Sequence, residues 1–225
     1  MRSVWSKNWL LNRDQFCHMP LLHELQEKNL NDFRNYLWMT DSCFQQLLSL
    51  LSPYIMKQDT CMRAAISEEQ RLIATLRYLA TARSLQDIKF TTVISPQALG
   101  VIITKTCSTI IQILQKDYIR FPSNTQQWAV QFANLWNFIN CGGAIDGKHV
   151  SIVPPHNSGS YFFYYKGFCS LVLLAVLSAN YEFLYVDVGM NGCHSDGGVM
   201  MHTKIYDRLQ MASYVCHMLT TMLRA

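Results

Sequence analysis

The chain has 225 residues, of which 50% are apolar and only 15% charged. A chain of this size buries roughly 70% of its unfolded surface, which excludes intrinsic disorder, and a mean hydropathy of +0.05 excludes a multi-span membrane protein. Nineteen basic against fifteen acidic side chains leave a net charge of +4, compatible with nucleic acid but not diagnostic of it. Eight cysteines without a Cys-x-x-Cys pair read as free thiols. The first sixteen residues mix Arg2, Lys7, Arg13 and Asp14 with Trp and Leu, and so lack the unbroken apolar core of a signal peptide. The most apolar stretch, Cys169 to Ala179, is about half the ~20 residues that cross a bilayer. Together these features place the chain in the nucleus or the cytoplasm, with no membrane partner.

Of ten glycines, only Gly100 precedes residue 142, so a helical region, 1–140, is expected to meet a second region, 141–225, built of short strands and turns. In the first region, Phe44, Leu47, Leu48 and Leu51 recur at helical spacing behind a Thr40/Asp41 cap. Ser67-Glu-Glu-Gln70 fits a capping box, opening a helix with Leu72, Ile73, Leu76 and Leu79 on one stripe and an end near Ala82. Ser84 caps a short helix, and Ser95 with Pro96 at the first helical position opens a longer one. The segment 84–115 thus has the parts of a helix-turn-helix, with an ordinary helical bundle as the plain alternative. Eight basic residues between Arg63 and Arg120, Arg83 and Lys105 among them, face four acidic ones. That excess suits phosphate contacts, whereas Gln97, Ala98 and Leu99 at the helix start are sparse for reading bases. DNA binding through this unit is expected to be weak and sequence-tolerant.

In the second region, Cys141-Gly-Gly-Ala-Ile-Asp146-Gly-Lys-His-Val-Ser-Ile reads as a strand bearing one Asp between glycines. Asp is disfavoured in strands, and glycine beside it lets a ligand approach; a metal or phosphate site and an Asp-Gly hairpin turn are both compatible with the pattern. Further strands are expected at Cys169 to Val176 and Phe183 to Gly189, with a turn at Asn180-Tyr181, forming a three-strand antiparallel meander. A glycine-rich turn, Asn191 to Val199, then leads into an apolar stretch. Asp196 in that turn is a helix cap or a metal ligand.

The run Gly143-Ala-Ile-Asp-Gly-Lys-His-Val, then Pro154-Pro155, Ser158-Gly-Ser160, Tyr165-Lys-Gly167, Leu171 to Val176, Ala179-Asn-Tyr181, Asp187-Val-Gly189 and Ser195-Asp-Gly-Gly-Val199 resembles the Harbinger (PIF) transposase-derived nucleases of the DDE superfamily. The resemblance extends back through Trp9 to Leu11, the Arg71 to Thr81 helix, the 84–115 segment and Trp136-Asn-Phe138. It implies an α+β chain whose helical region precedes a partial RNase H-like domain, a three-strand antiparallel meander plus a helix. It also implies phosphodiester hydrolysis in DNA with Mg²⁺ or Mn²⁺ as cofactor. Asp146 and Asp196 map onto catalytic metal ligands of the family, while Lys148, His149 and Lys166 lie in matching motifs as DNA-contact candidates. Past Val199, the family's Gly-Asp strand and helical Glu have no counterpart in Met200 to Ala225. The resemblance therefore implies a copy truncated at its C-terminal side, with an incomplete metal site unless a protein partner or second chain supplies the rest. A non-catalytic DNA-binding or interaction protein using the helical region is the alternative.

Overall fold

The computed structural model describes residues 8–61, 64–121, 125–139, 141–207 and 210, with the backbone alone for Asn8, Leu11, 125–129 and Asp196. It is an α+β protein that divides into two compact units, Met1–Gln115 and Lys116–Ala225. Among the described residues every regular element up to residue 139 is a helix, and the strands all follow.

The first unit opens with α1 (Asn8–Leu11), α2 (Arg13–Phe16), α3 (Met19–Lys28), α4 (Leu30–Leu37) and α5 (Asp41–Ile55). It continues with α6 (Glu68–Thr81), α7 (Leu85–Thr92) and most of α8 (Pro96–Tyr118). Local chemistry sets these boundaries. Ser67 Oγ accepts the Gln70 N–H at 3.2 Å and Ser84 Oγ the Asp87 N–H at 3.2 Å. Thr40 and Ser95 cap α5 and α8 in the same way, more loosely. Each cap satisfies an amide that the helix leaves unpaired, for about 1 kcal/mol. α6 and α7 both stop on a left-handed residue, Ala82 at φ 50° and Val93 at φ 55°. That conformation strains a β-branched side chain, and the burial of Val93 in the unit's core offsets the cost.

Two apolar clusters hold the helices together. One gathers Leu22, Phe33, Phe44, Leu51, Leu72 and Ile73, with Phe33 edge-on to Phe44 at 5.8 Å. The other joins α6, α7 and α8 through Ala74, Ile88, Ile94, Leu99, Ile102 and Ile103. Fully buried side chains of this size each contribute about 1.5–3 kcal/mol. By length and composition α8 is apolar enough to cross a membrane. Leu99, Ile102 and Ile103 instead pack within the protein, and Thr104, Lys105 and Ser108 are exposed.

Several basic side chains of this unit turn inward. Arg77 donates to the Tyr36 carbonyl at 2.8 Å and lies 3.9 Å over the Tyr36 ring. Arg71 Nε donates to the Ile66 carbonyl at 2.9 Å. The basic excess counted in the sequence therefore overstates what faces solvent.

The second unit contains α9 (Thr125–Trp136), β1 (Ala144–Ser151), β2 (Phe163–Tyr164), β3 (Phe168–Leu177), β4 (Phe183–Asn191) and α10 (Asp196–Met201). β3 is central. β1 pairs antiparallel with one edge of it, while β4 and the short β2 pair antiparallel along the other. The three long strands match the expected meander, with β4 running to Asn191, and the short β2 is an addition to it. Val172 and Leu174 of β3 pack under Val199 of α10, so α10 covers one face of the sheet. Trp136 ties α9 to the β3–β4 turn, its indole N–H donating to the Ala179 carbonyl at 2.9 Å.

Two glycines direct the end of β4. The register passes from Leu173↔Val188 to Val172↔Met190, leaving Gly189 unpaired in a bulge at φ 142°, a conformation that favours glycine. Past the bulge the chain reaches Gly192, packed against β3. A Cβ there would collide with Ser170 Oγ and come within 2.7 Å of the Phe162 carbonyl oxygen.

Candidate functional site

β1 pairs with β3 on one side, and among the described residues no strand pairs with its other edge. Asp146 stands on this edge strand opposite Ala175, exposed to solvent, with Oδ1 accepting the Gly147 N–H at 2.9 Å. Directly opposed residues of an antiparallel pair share a face, and successive residues alternate. Asp146 and Lys148, opposite Ala175 and Leu173, therefore share the face away from α10. His149, opposite Val172, lies on the α10 face.

The structure thus separates two candidate residues that are neighbours in sequence. Lys148 shares its face with Asp146. His149 instead joins a second constellation, where its ring stacks on Tyr164 at 3.5 Å between centroids with 17° between planes. Its Nδ1 is 3.0 Å from the hydroxyl of buried Ser170. Lys166, two residues past Tyr164, reaches within 5.8 Å of the rings of both Tyr164 and Tyr165. Arg83 and Lys105 belong to the first unit. Arg83 is paired with Asp87 at 3.2 Å with both side chains exposed, which contributes little to stability and leaves the guanidinium accessible. Lys105 is on the exposed side of α8.

Asp196 begins α10 behind the cap residue Ser195, whose Oγ accepts the Gly198 N–H at 3.4 Å. The Asp196 side chain lies outside the described residues, and so does the expected meeting of its carboxylate with that of Asp146. The backbone register is described: β4 ends at Asn191 opposite Leu171, four residues along β3 from the Ala175 level of Asp146. At strand rise this is roughly 13 Å.

A cleft of about 470 Å³ opens on the α10 side, between the β2–β3 turn and the 192–195 loop. His149, Tyr164 and Tyr165 form one wall and Cys193, His194 and Ser195 the other. His149, the Tyr165-Lys-Gly167 motif and the glycine-rich 191–199 turn are each marked in the sequence, but no local pattern brings them to one cleft. The sequence signal for the aromatic wall is the run Tyr161-Phe-Phe-Tyr-Tyr-Lys166, five aromatic residues ahead of a lysine.

Residues 145–221 match the DDE superfamily endonucleases. No curated protein and no solved structure matches the chain. The endonuclease-like region starts on β1, one residue before Asp146, and includes β2, β3, β4 and α10. DNA is the substrate that this similarity implies, and endonucleases of this superfamily generally use divalent metal. Such ions need several carboxylate oxygens, and a two-ion centre needs them around both metals. Among the described residues no three His, Cys, Asp or Glu side chains gather to hold an ion. The described donor set does not fit a complete metal centre.

Proposed function

We propose that the chain is a transposase-derived, DDE-type nuclease relative of the Harbinger (PIF) kind that binds DNA without completing the catalytic metal centre. The observation that carries this reading is the endonuclease match over 145–221, with Asp146 on the first strand of an antiparallel sheet covered by α10. That order of elements supports a partial RNase H-like domain, 141–225, behind a helical region, 1–140. In this reading Asp146 and Asp196 are the inherited catalytic ligands for Mg²⁺ or Mn²⁺. Residues 200–225 contain no Glu and no Gly-Asp pair to join them. Two carboxylates leave most of the ions' charge uncompensated and cannot fix an attacking water in line.

DNA is held in this reading by the helix-turn-helix of α7 and α8 within 84–115, through Lys105, by Arg83 just ahead of it, and by Lys148, His149 and Lys166 on the sheet unit. In this reading the nucleus is the site of action, and ligands beyond Asp146 and Asp196 come from outside residues 145–221, a protein partner or second chain among the sources. The second reading, a DNA-binding or interaction protein without chemistry, is favoured by the absence, among the described residues, of three gathered His, Cys, Asp or Glu side chains. Plasmid cleavage with Mn²⁺, run beside duplex binding without metal, tests both. Binding without cleavage is the expected result; cleavage that Asp146→Ala abolishes would establish a complete centre and overturn the proposal.

A further inference from the structure

We infer that the cleft between the β2–β3 turn and the 192–195 loop takes an unpaired base of single-stranded DNA, stacked on Tyr165 with the adjoining phosphate neutralised by Lys166. The inference rests on the reading of the chain as a DNA-binding protein and adds to it the place where a strand without its complement is held.

The turn explains why these two side chains are presented together. The Gly167 N–H donates to the Tyr164 carbonyl at 2.9 Å, closing a four-residue turn, and Gly167 sits at φ 90°. A residue with a Cβ is strained there, so glycine secures the turn. Tyr165 and Lys166 occupy its tip. Tyr165 is 80% exposed, and Tyr161 and Phe163 in the same segment are 62% and 50% exposed. So much uncovered aromatic surface beside an ammonium group suits a flat, anionic partner. Base stacking on such rings is tolerant of sequence, while a lysine follows the backbone phosphates.

The inner surface narrows the choice. His149 is held in place by Tyr164 and by Ser170, and His194 and Ser195 line the opposite side. A purely apolar occupant would strip water from these polar groups without replacing their hydrogen bonds. A small inorganic anion would leave the aromatic wall uncovered. A base with its sugar and phosphate addresses both, and about 470 Å³ admits one nucleotide-sized group rather than two paired strands.

Fluorescence anisotropy of the full chain with labelled oligothymidylate and with a duplex of equal length tests the inference. Tyr165→Ala should weaken single-strand binding on the order of tenfold, Tyr165→Phe should retain it, and duplex affinity should stay unchanged in both variants. Lys166→Ala should lower single-strand affinity and flatten its salt dependence. Single-strand affinity indifferent to Tyr165→Ala would overturn the inference while leaving duplex binding by the helices standing, and an equal loss for single strand and duplex would overturn it because Tyr165 then does not distinguish an unpaired base. Failure of the unmodified chain to bind either form would overturn it together with the DNA-binding reading. Tyr165 is exposed, so its replacement removes no core contact.

Discussion

Lys148 and His149, adjacent in sequence, stand on opposite faces of β1. Lys148 lies opposite Leu173 on the Asp146 face, and His149 opposite Val172 on the face covered by α10. The two have different surroundings and different consequences when removed. His149→Ala deletes a ring stack and strands the hydroxyl of buried Ser170, a loss of about 2 kcal/mol. Lys148→Ala removes an exposed charge and should leave stability unchanged. Thermal melts should show His149→Ala several degrees below the unmodified protein and Lys148→Ala level with it.

Gly192→Ala should destabilise the second unit more than an ordinary surface glycine replacement. The added methyl meets Ser170 Oγ, and the Phe162 and Ser170 carbonyl oxygens lie 2.7 and 2.9 Å from its position. Two of these three atoms are backbone and cannot rotate away, so a loss of about 2 kcal/mol or more is expected. Urea unfolding of Gly192→Ala, alone and with Ser170→Ala, measures it. The double variant should recover little, because the carbonyls remain.

The first unit should lose stability in mild acid through His18. Its pKa is lowered to about 4, first by burial and then by the positive charge of Arg77, while its Nδ1 is 2.9 Å from the Tyr36 hydroxyl. A base with a depressed folded pKa binds more protons when unfolded. Its contribution is therefore complete above pH 6.5 and lost as pH falls from 6.5 towards 4. A shift from 6.5 to about 4 corresponds to at most about 3 kcal/mol. Urea midpoints measured across this range should fall with pH, and His18→Gln should flatten that slope.

Basic residues of the first unit should separate into structural ones and, on the proposed reading, DNA-contacting ones. Arg77 is spent on the Tyr36 carbonyl and ring, so Arg77→Ala should cost about 1–3 kcal/mol of stability. Arg83 and Lys105 are exposed. Reversing both to Glu should weaken duplex binding for all sequences alike and reduce the salt dependence by roughly one unit of slope per lost phosphate contact. Anisotropy titrations at several salt concentrations, set beside melting curves, distinguish the two classes.

The sequence by itself determined where α5, α6, α7 and α8 begin, and it marked the stretch around Asp146 as strand. A cap closes within four residues, so Ser67, Ser84 and the Ser95-Pro96 pair read correctly without knowledge of the packing. The long strands announced themselves through runs such as Cys169 to Val176, buried at the centre of the sheet. Tertiary structure alone decided what those elements present to one another. Arg71 and Arg77 count as positive charge in any tally, yet the carbonyls that hold them, on Ile66 and Tyr36, are located by the fold. The cleft of His149, Tyr164, Tyr165 and His194 draws on three segments separated in sequence. It exists because β2 and the end of β4 share one edge of β3 and Gly192 lets the chain pass between them. Register along β3 sets which side chains face one another, and it depends on hydrogen bonds between distant residues, which no local pattern encodes.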